Sequence, residues 1–151
     1  MEDVTNTIAA DRNLIEQLFT DFELAEDTQT AEKIIDDICV QLRLHKCIEA
    51  VFPFVEFEDD LFIAKNIEEH EILQYFVEEL SACEKEDRET ITVKIRILAE
   101  FFRHHVMHEE YELFPYLDQH GEKHEELLSK FNEFKEQQKA RLIYRGHKAI
   151  A

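Results

Sequence analysis

The sequence predicts an all-α fold, an up-down-up-down four-helix bundle with an additional C-terminal helix. Three observations carry that prediction. Apolar residues recur every three or four positions along nearly the whole chain, as on helices with one buried face. Only two glycines and two prolines interrupt the 151 residues, too little punctuation for a multi-strand fold. Hydrophobic residues make up 44% of the chain and include twelve phenylalanines, enough to fill the core of one domain.

The elements follow in order. A first helix is expected from about Thr5 to Glu26, with Ile8, Ile15, Phe19 and Phe22 on one side. Thr28 or Thr30 caps the second, which carries Ile34, Ile35, Ile38, Leu42, His45, Glu49 and Phe52. Pro53 closes it, because proline disfavours helix at the residue before it. A turn over Glu56–Asp60 leads to a third helix from about Leu61 to Cys83, carrying His70, Leu73, Phe76 and Val77. The polar connection Glu84–Glu89 offers Asp87 as N-cap of a fourth helix, about Thr90 to Asp118, with Ile91, Ile95, Leu98, Phe102, His105 and Glu109. After Gly121 a fifth helix, with Leu127, Leu128, Phe131 and Phe134, runs to about residue 145, and Gly146–Ala151 frays. The whole chain is thus expected to be one domain, with the bundle over about residues 5–119.

Charge narrows the function. A net charge of −18 argues against nucleic acid, whose phosphates require stripes of Lys and Arg, and against an anionic membrane surface. It is compatible with attracting cations. No apolar run approaches the roughly 18–20 residues of a membrane span. The acidic start, Met1-Glu2-Asp3, lacks the basic and apolar regions of a signal peptide. Cys39, Cys47 and Cys83 are odd in number and form no C-x-x-C, as expected of reduced thiols in the cytoplasm.

Two H-x-x-x-E pairs, His45/Glu49 and His105/Glu109, lie sixty residues apart on the second and fourth helices. Residues four apart share a helix face, so each pair aims an imidazole and a carboxylate together. Such nitrogen and oxygen donors suit iron, manganese or zinc. With eight His and twenty-five Glu in the chain, about one such spacing is expected by chance, and His108/Glu112 is a third. The bundle topology selects among them. Residues level with each other in an antiparallel hairpin are equidistant from the loop centre. His45 and His70 average to 57.5, inside the Glu56–Asp60 turn, and His70 and His105 average to 87.5, inside Glu84–Glu89. The three histidines therefore share one level, and the equivalent place on the first helix falls at Asp11 and Arg12. An imperfect repeat agrees: in both halves H-x-x-x-E is followed by Phe-Pro, at Phe52-Pro53 and Phe114-Pro115.

These residues resemble the hemerythrin-like, HHE cation-binding family over about Ile8 to Leu117. Asp11-Arg12-Asn13-Leu14-Ile15-Glu16-Gln17-Leu18-Phe19 is similar to its first-helix segment, Leu44-His45-Lys46-Cys47-Ile48-Glu49 to its second, and Glu69-His70-Glu71 to its third. The stretch Phe102 to Glu110 with Glu112-Leu113-Phe114-Pro115 is the closest match. The resemblance implies a non-heme di-iron centre in a four-helix bundle, with bridging carboxylates, and functions in binding or sensing O2, NO or a related small ligand. Peroxide- or iron-oxidising enzymes occur on the same scaffold. The ligands it implies here are His45, Glu49, His70, His105 and Glu109.

One position departs from the pattern. Arg12 stands where the family places its first-helix His, and a guanidinium has no lone pair for a metal. His70 and His105 would then serve one ion, leaving His45 and shared carboxylates for another. Three outcomes are open: a di-iron site with a water-filled position, a single-metal site, or a metal-free interaction module. In the last, Arg12 replaces the metal's charge by pairing with Glu49, Glu109 or its own i+4 neighbour Glu16. Glu112, one turn beyond Glu109, is expected to be exposed or to stand behind the ligands. Solvent exposure is expected for His104, His108, His120 and His124. Cys47 lies about 200° round the helix from His45 and is not expected to ligate. The protein partner, if any, is not legible.

Overall fold

The computed structural model describes residues 4–55, 60–83, 87–119 and 123–144. Helix α1 is Val4–Leu24, α2 Thr28–His45, α3 Asp60–Ala82 and α4 Arg88–His108; a short α5, Phe114–Gln119, and a C-terminal α6, His124–Tyr144, follow. Helix α1 packs on α2, α2 on α3, α3 on α4, and α4 closes back on α1, giving the up-down-up-down bundle. Helix α6 lies against α1, α2 and the segment that follows α2. The expected turn residues 56–59, the connection 84–86, His120, Gly121 and the end from Gly146 lie outside the described residues. No helix among those described is long and apolar enough to cross a membrane.

The helix starts are set by aspartates. Asp27, rather than Thr28 or Thr30, caps α2: its carboxylate accepts from the Thr30 backbone N–H at 2.7 Å and from the Thr30 hydroxyl at 2.9 Å. Asp87 does the same for α4 through Thr90, at 3.2 and 2.6 Å. Each carboxylate satisfies an N–H that the first turn leaves without an intrahelical acceptor. Arg88 then donates to the carbonyls of Phe22 and Ala25, both at 3.1 Å, and so closes the far end of α1.

Two expected helices depart from α geometry, each just before a proline. Instead of continuing to Pro53, α2 tightens into a 3-10 segment, Lys46–Phe54, which contains that proline. Helix α4 widens into a π turn, Glu109–Leu113, before Pro115 in α5. Proline has no N–H for the carbonyl four residues back and crowds the turn preceding it. Adjusting the turn to 3-10 or π spacing keeps the chain helical across that defect.

The core has two apolar layers. The upper contains Ile15, Phe19 and Phe22 of α1, Ile35, Ile38 and Leu42 of α2, Leu73 and Val77 of α3, and Ile95, Leu98 and Phe102 of α4. The lower contains Val4, Ile8, Leu44, Ile48, Val51, Phe62, Leu113, Leu117, Leu127 and Phe131. Each bundle helix passes from one layer to the other through polar residues: Arg12 on α1, His45 on α2, Asn66 and His70 on α3, and His105 on α4, with Glu109 just beyond. A polar slab is thereby held between two apolar ones, at the level that the loop reflection predicts.

Candidate metal centre

His45, His70, His105 and Glu109 converge in that slab, all buried, each offering one ligand atom within 4.8 Å of the others. His45 Nε2 lies 3.1 Å from His105 Nε2 and 3.0 Å from Glu109 Oε1. His105 Nε2 lies 3.2 Å from the same oxygen, and His70 Nε2 lies 3.6 Å from Glu109 Oε2. An ion about 2.1 Å from its ligands separates neighbouring ligand atoms by roughly 3.0 Å in octahedral and 3.4 Å in tetrahedral geometry. The triangle of His45, His105 and Glu109 atoms has that size. One cation would meet the three lone pairs together, with His70 Nε2 beside them.

The outer nitrogens of two rings face carboxylates, that of His70 within hydrogen-bonding distance and that of His105 beyond it. His70 Nδ1 donates to Glu49 Oε1 at 2.8 Å, which turns its Nε2 inward, and that buried atom has no hydrogen-bond partner among the described residues. His105 Nδ1 faces Glu69 Oε1 at 3.6 Å. Glu69 also accepts from His108 Nδ1, at 3.2 and 3.3 Å to its two oxygens. Asn66 Nδ2 donates to Glu109 Oε2 at 3.3 Å and orients that carboxylate. Carboxylates behind histidines, fixing tautomer and ring orientation, are the usual support of a metal site.

Glu49 is where the geometry differs most from the sequence expectation. It stands behind His70, a quarter exposed, instead of beside His45. Local helix type supplies the reason. Residues four apart end about 40° apart on an α-helix but about 120° apart at three residues per turn. The 3-10 segment begins at Lys46, so Glu49 swings away from His45 towards α3. Helix α4 keeps its α spacing through His108, so His105 and Glu109 remain on one face.

Arg12 turns to other partners than the carboxylates. Its Nη1 donates to the Val106 carbonyl at 3.2 Å, and its guanidinium lies over the Phe114 ring, 4.8 Å from the centroid. Among the described residues it forms no ion pair with Glu16, Glu49 or Glu109. Glu16 instead pairs with Arg103 at 3.1 Å on the surface. Glu112 is exposed, as expected. His104 is exposed too, but His108 is half-buried on Glu69, and His124 is buried, its Nε2 2.9 Å from the Leu117 carbonyl oxygen. Burial pushes the Cys47 thiol up to about 12, and its sulfur is not among the converging ligand atoms.

Asn66 and Glu69 complete the site, and sequence reasoning singled out neither. The reflection that levels the histidines also pairs Asn66 with Glu109, since both are equidistant from 87.5.

Inside the slab the imidazolium and carboxylate charges offset one another. Burial alone would hold the His105 imidazolium down, but Glu109 and Glu69 outweigh it and raise the ring to about 9. His70 is likewise raised by Glu109 and Glu49 against its own burial. His45 goes the other way, because burial dominates the attraction of Glu109. Burial opposes the Glu109 carboxylate, yet the three histidines keep it ionised well below the ordinary carboxylate range. The group can hold a metal ion, and near neutral pH that ion competes with protons for it.

Comparison with protein-family models, with curated proteins and with solved structures finds no match for this chain.

Proposed function

We propose that this protein is a hemerythrin-like, single-metal, non-heme iron protein that binds O2, NO or a related small ligand. The convergence of three imidazole Nε2 atoms and one carboxylate in a buried slab carries this reading. The donor set contains nitrogen and oxygen but no sulfur, which suits iron, manganese or zinc. Iron is favoured because reversible binding of a diatomic gas needs a metal with accessible d electrons, which zinc lacks. Arg12 leaves three histidines rather than four at this level, a complement for one ion.

The iron would supply the coordination position that holds the small ligand. The chain's own residues do the rest. Glu49 fixes the His70 ring, Glu69 stands behind His105, and Asn66 fixes the carboxylate of Glu109. Phe102 packs edge-on against His45, with ring centroids 5.3 Å apart, and together with the apolar layers keeps bulk water out. A site this enclosed admits small ligands rather than metabolites.

Iron-replete aerobic purification followed by metal analysis and an absorption spectrum tests this. About one iron per chain, with a near-ultraviolet band that shifts on adding azide, is the expected result. Stoichiometric zinc that iron does not displace, or a protein that retains no metal, would refute it. Rapid peroxide consumption by the iron-loaded protein would move the assignment to an enzyme on the same scaffold.

A further inference from the structure

Away from the polar slab, α2, α3 and α6 line an open cavity of about 240 Å³. Arg43 and Lys46 reach it from the end of α2, Gln74 and Glu78 from α3, and Gln138 and Arg141 from α6. We infer that this cavity is a binding site for a small phosphate-type dianion, formed by Arg43, Lys46 and Arg141.

The chain carries 17 basic residues against 35 acidic ones, so its cations are expected to be neutralised. Many described ones are: Lys33, Lys94, Arg96, Arg103 and Lys135 each sit within 4.0 Å of a carboxylate. Arg43, Lys46 and Arg141 form no ion pair among the described residues, although Glu78 lines the same cavity. Arg43 Nη1, shielded from solvent, has no hydrogen-bond partner among the described residues. A buried guanidinium N–H is costly to leave unpaired, and a turn of the Arg43 side chain into the cavity would bring it to a ligand oxygen. The ends of α2 and α6 favour a cation at each terminus, but they do not account for three meeting in one cavity.

Charge and shape select the ligand class. Three cations less the one carboxylate of Glu78 leave a formal +2, matching a phosphate dianion. Two guanidinium forks offer the paired N–H geometry that tetrahedral oxyanions accept, while the Lys46 ammonium acts as a point charge. Gln74 already donates through Nε2 to the Leu42 carbonyl at 3.3 Å, so Gln138 is the better-placed neutral donor. The cavity is smaller than those that take drug-sized ligands, about 300 Å³ and above, which restricts it to inorganic phosphate or a short phosphomonoester.

Isothermal titration of the metal-loaded protein with inorganic phosphate and with glycerol 2-phosphate, in a chloride buffer, tests the site. Saturable binding of at least one probe is expected, with Kd below about 1 mM. R141Q, on an exposed position, and K46Q should each weaken it by about tenfold or more while leaving metal content unchanged. Preference for the monoester identifies a phosphorylated small molecule, and equal or better binding of phosphate identifies the inorganic ion. Absence of saturable heat up to about 10 mM, or wild-type affinity in both variants, overturns the inference. Phosphate taken up by the iron itself would persist in R141Q and K46Q, which separates this site from the metal centre.

Discussion

Metal binding should expel protons, and the number follows from the geometry of the slab. The perturbation is pH, varied from 6 to 9, with zinc as a redox-silent probe. In the metal-free protein His105 is raised to about 9, so at pH 7 it is mostly protonated. His70 is shifted in the same direction, whereas His45 is shifted towards the neutral form. A metal takes the Nε2 lone pair of each ring, so every ring proton there must leave. Between about one and two protons are expected per ion bound at pH 7.

Two observables follow. Calorimetric titration in buffers of different ionisation enthalpy, such as PIPES and Tris, should report that release directly. Affinity should rise by about tenfold or more per pH unit between 6.5 and 8, and flatten above 9. The metal-free protein should behave in the opposite sense. His105 is raised on folding from 6.5 to about 9, so its stabilisation is fully present below 6.5 and is lost as pH rises through 9. Integrated at pH 7, this one group contributes on the order of 2–3 kcal/mol. Glu109 is depressed on folding, so its contribution holds above its ordinary value and fails only in strong acid. Metal-free stability should therefore fall from pH 6.5 to 9 while metal-loaded stability does not. Proton release of zero with a pH-independent affinity would refute the placement of His105 at the centre.

Other substitutions probe separate parts of the site. Glu109→Gln keeps the shape but removes the only carboxylate among the four ligand atoms, so metal content should fall close to zero. Denaturant melts of its metal-free form should show a loss of a few kcal/mol near neutral pH, because buried imidazolium charge loses its partner; wild-type stability would contradict the charge balance described. Glu49→Gln and Glu69→Gln should each weaken metal affinity about 10–100-fold without abolishing it, measured by competition with a chelator. Unchanged affinity in both would show that neither positions a ring. Arg12→His restores an imidazole on α1 at the level of the slab and should raise metal content above one ion per chain; stoichiometry that stays at one would show that this position does not limit the centre.

Much of this arrangement is legible in the sequence, because it rests on regular helices. Apolar periodicity marks each bundle helix, and reflection through the turns levels His45, His70 and His105 because antiparallel helices climb at equal rates. What escapes is whatever depends on departures from that regularity. Glu49 reads as a partner of His45 only if the helix continues, and the 3-10 segment before Pro53 turns it to His70. Arg12 lies at the expected level, but its long side chain can reach several partners, and the Val106 carbonyl with the Phe114 ring takes it away from the carboxylates. Glu69 and Asn66 are hidden for another reason: one glutamate among twenty-five, and one amide, carry no signal until the facing helix is known. His124 reads as surface beside Gly121, yet the fold brings the Leu117 carbonyl to its Nε2 and buries it.

The central claim is that one ion sits among three imidazoles and a carboxylate. Anomalous diffraction at the iron edge, from crystals of iron-loaded protein, tests it most directly. A single peak about 2.0–2.2 Å from the Nε2 atoms of His45, His70 and His105 and from a Glu109 oxygen is the predicted result. Two peaks in the slab, or none at that position in crystals shown by fluorescence to contain iron, would contradict it.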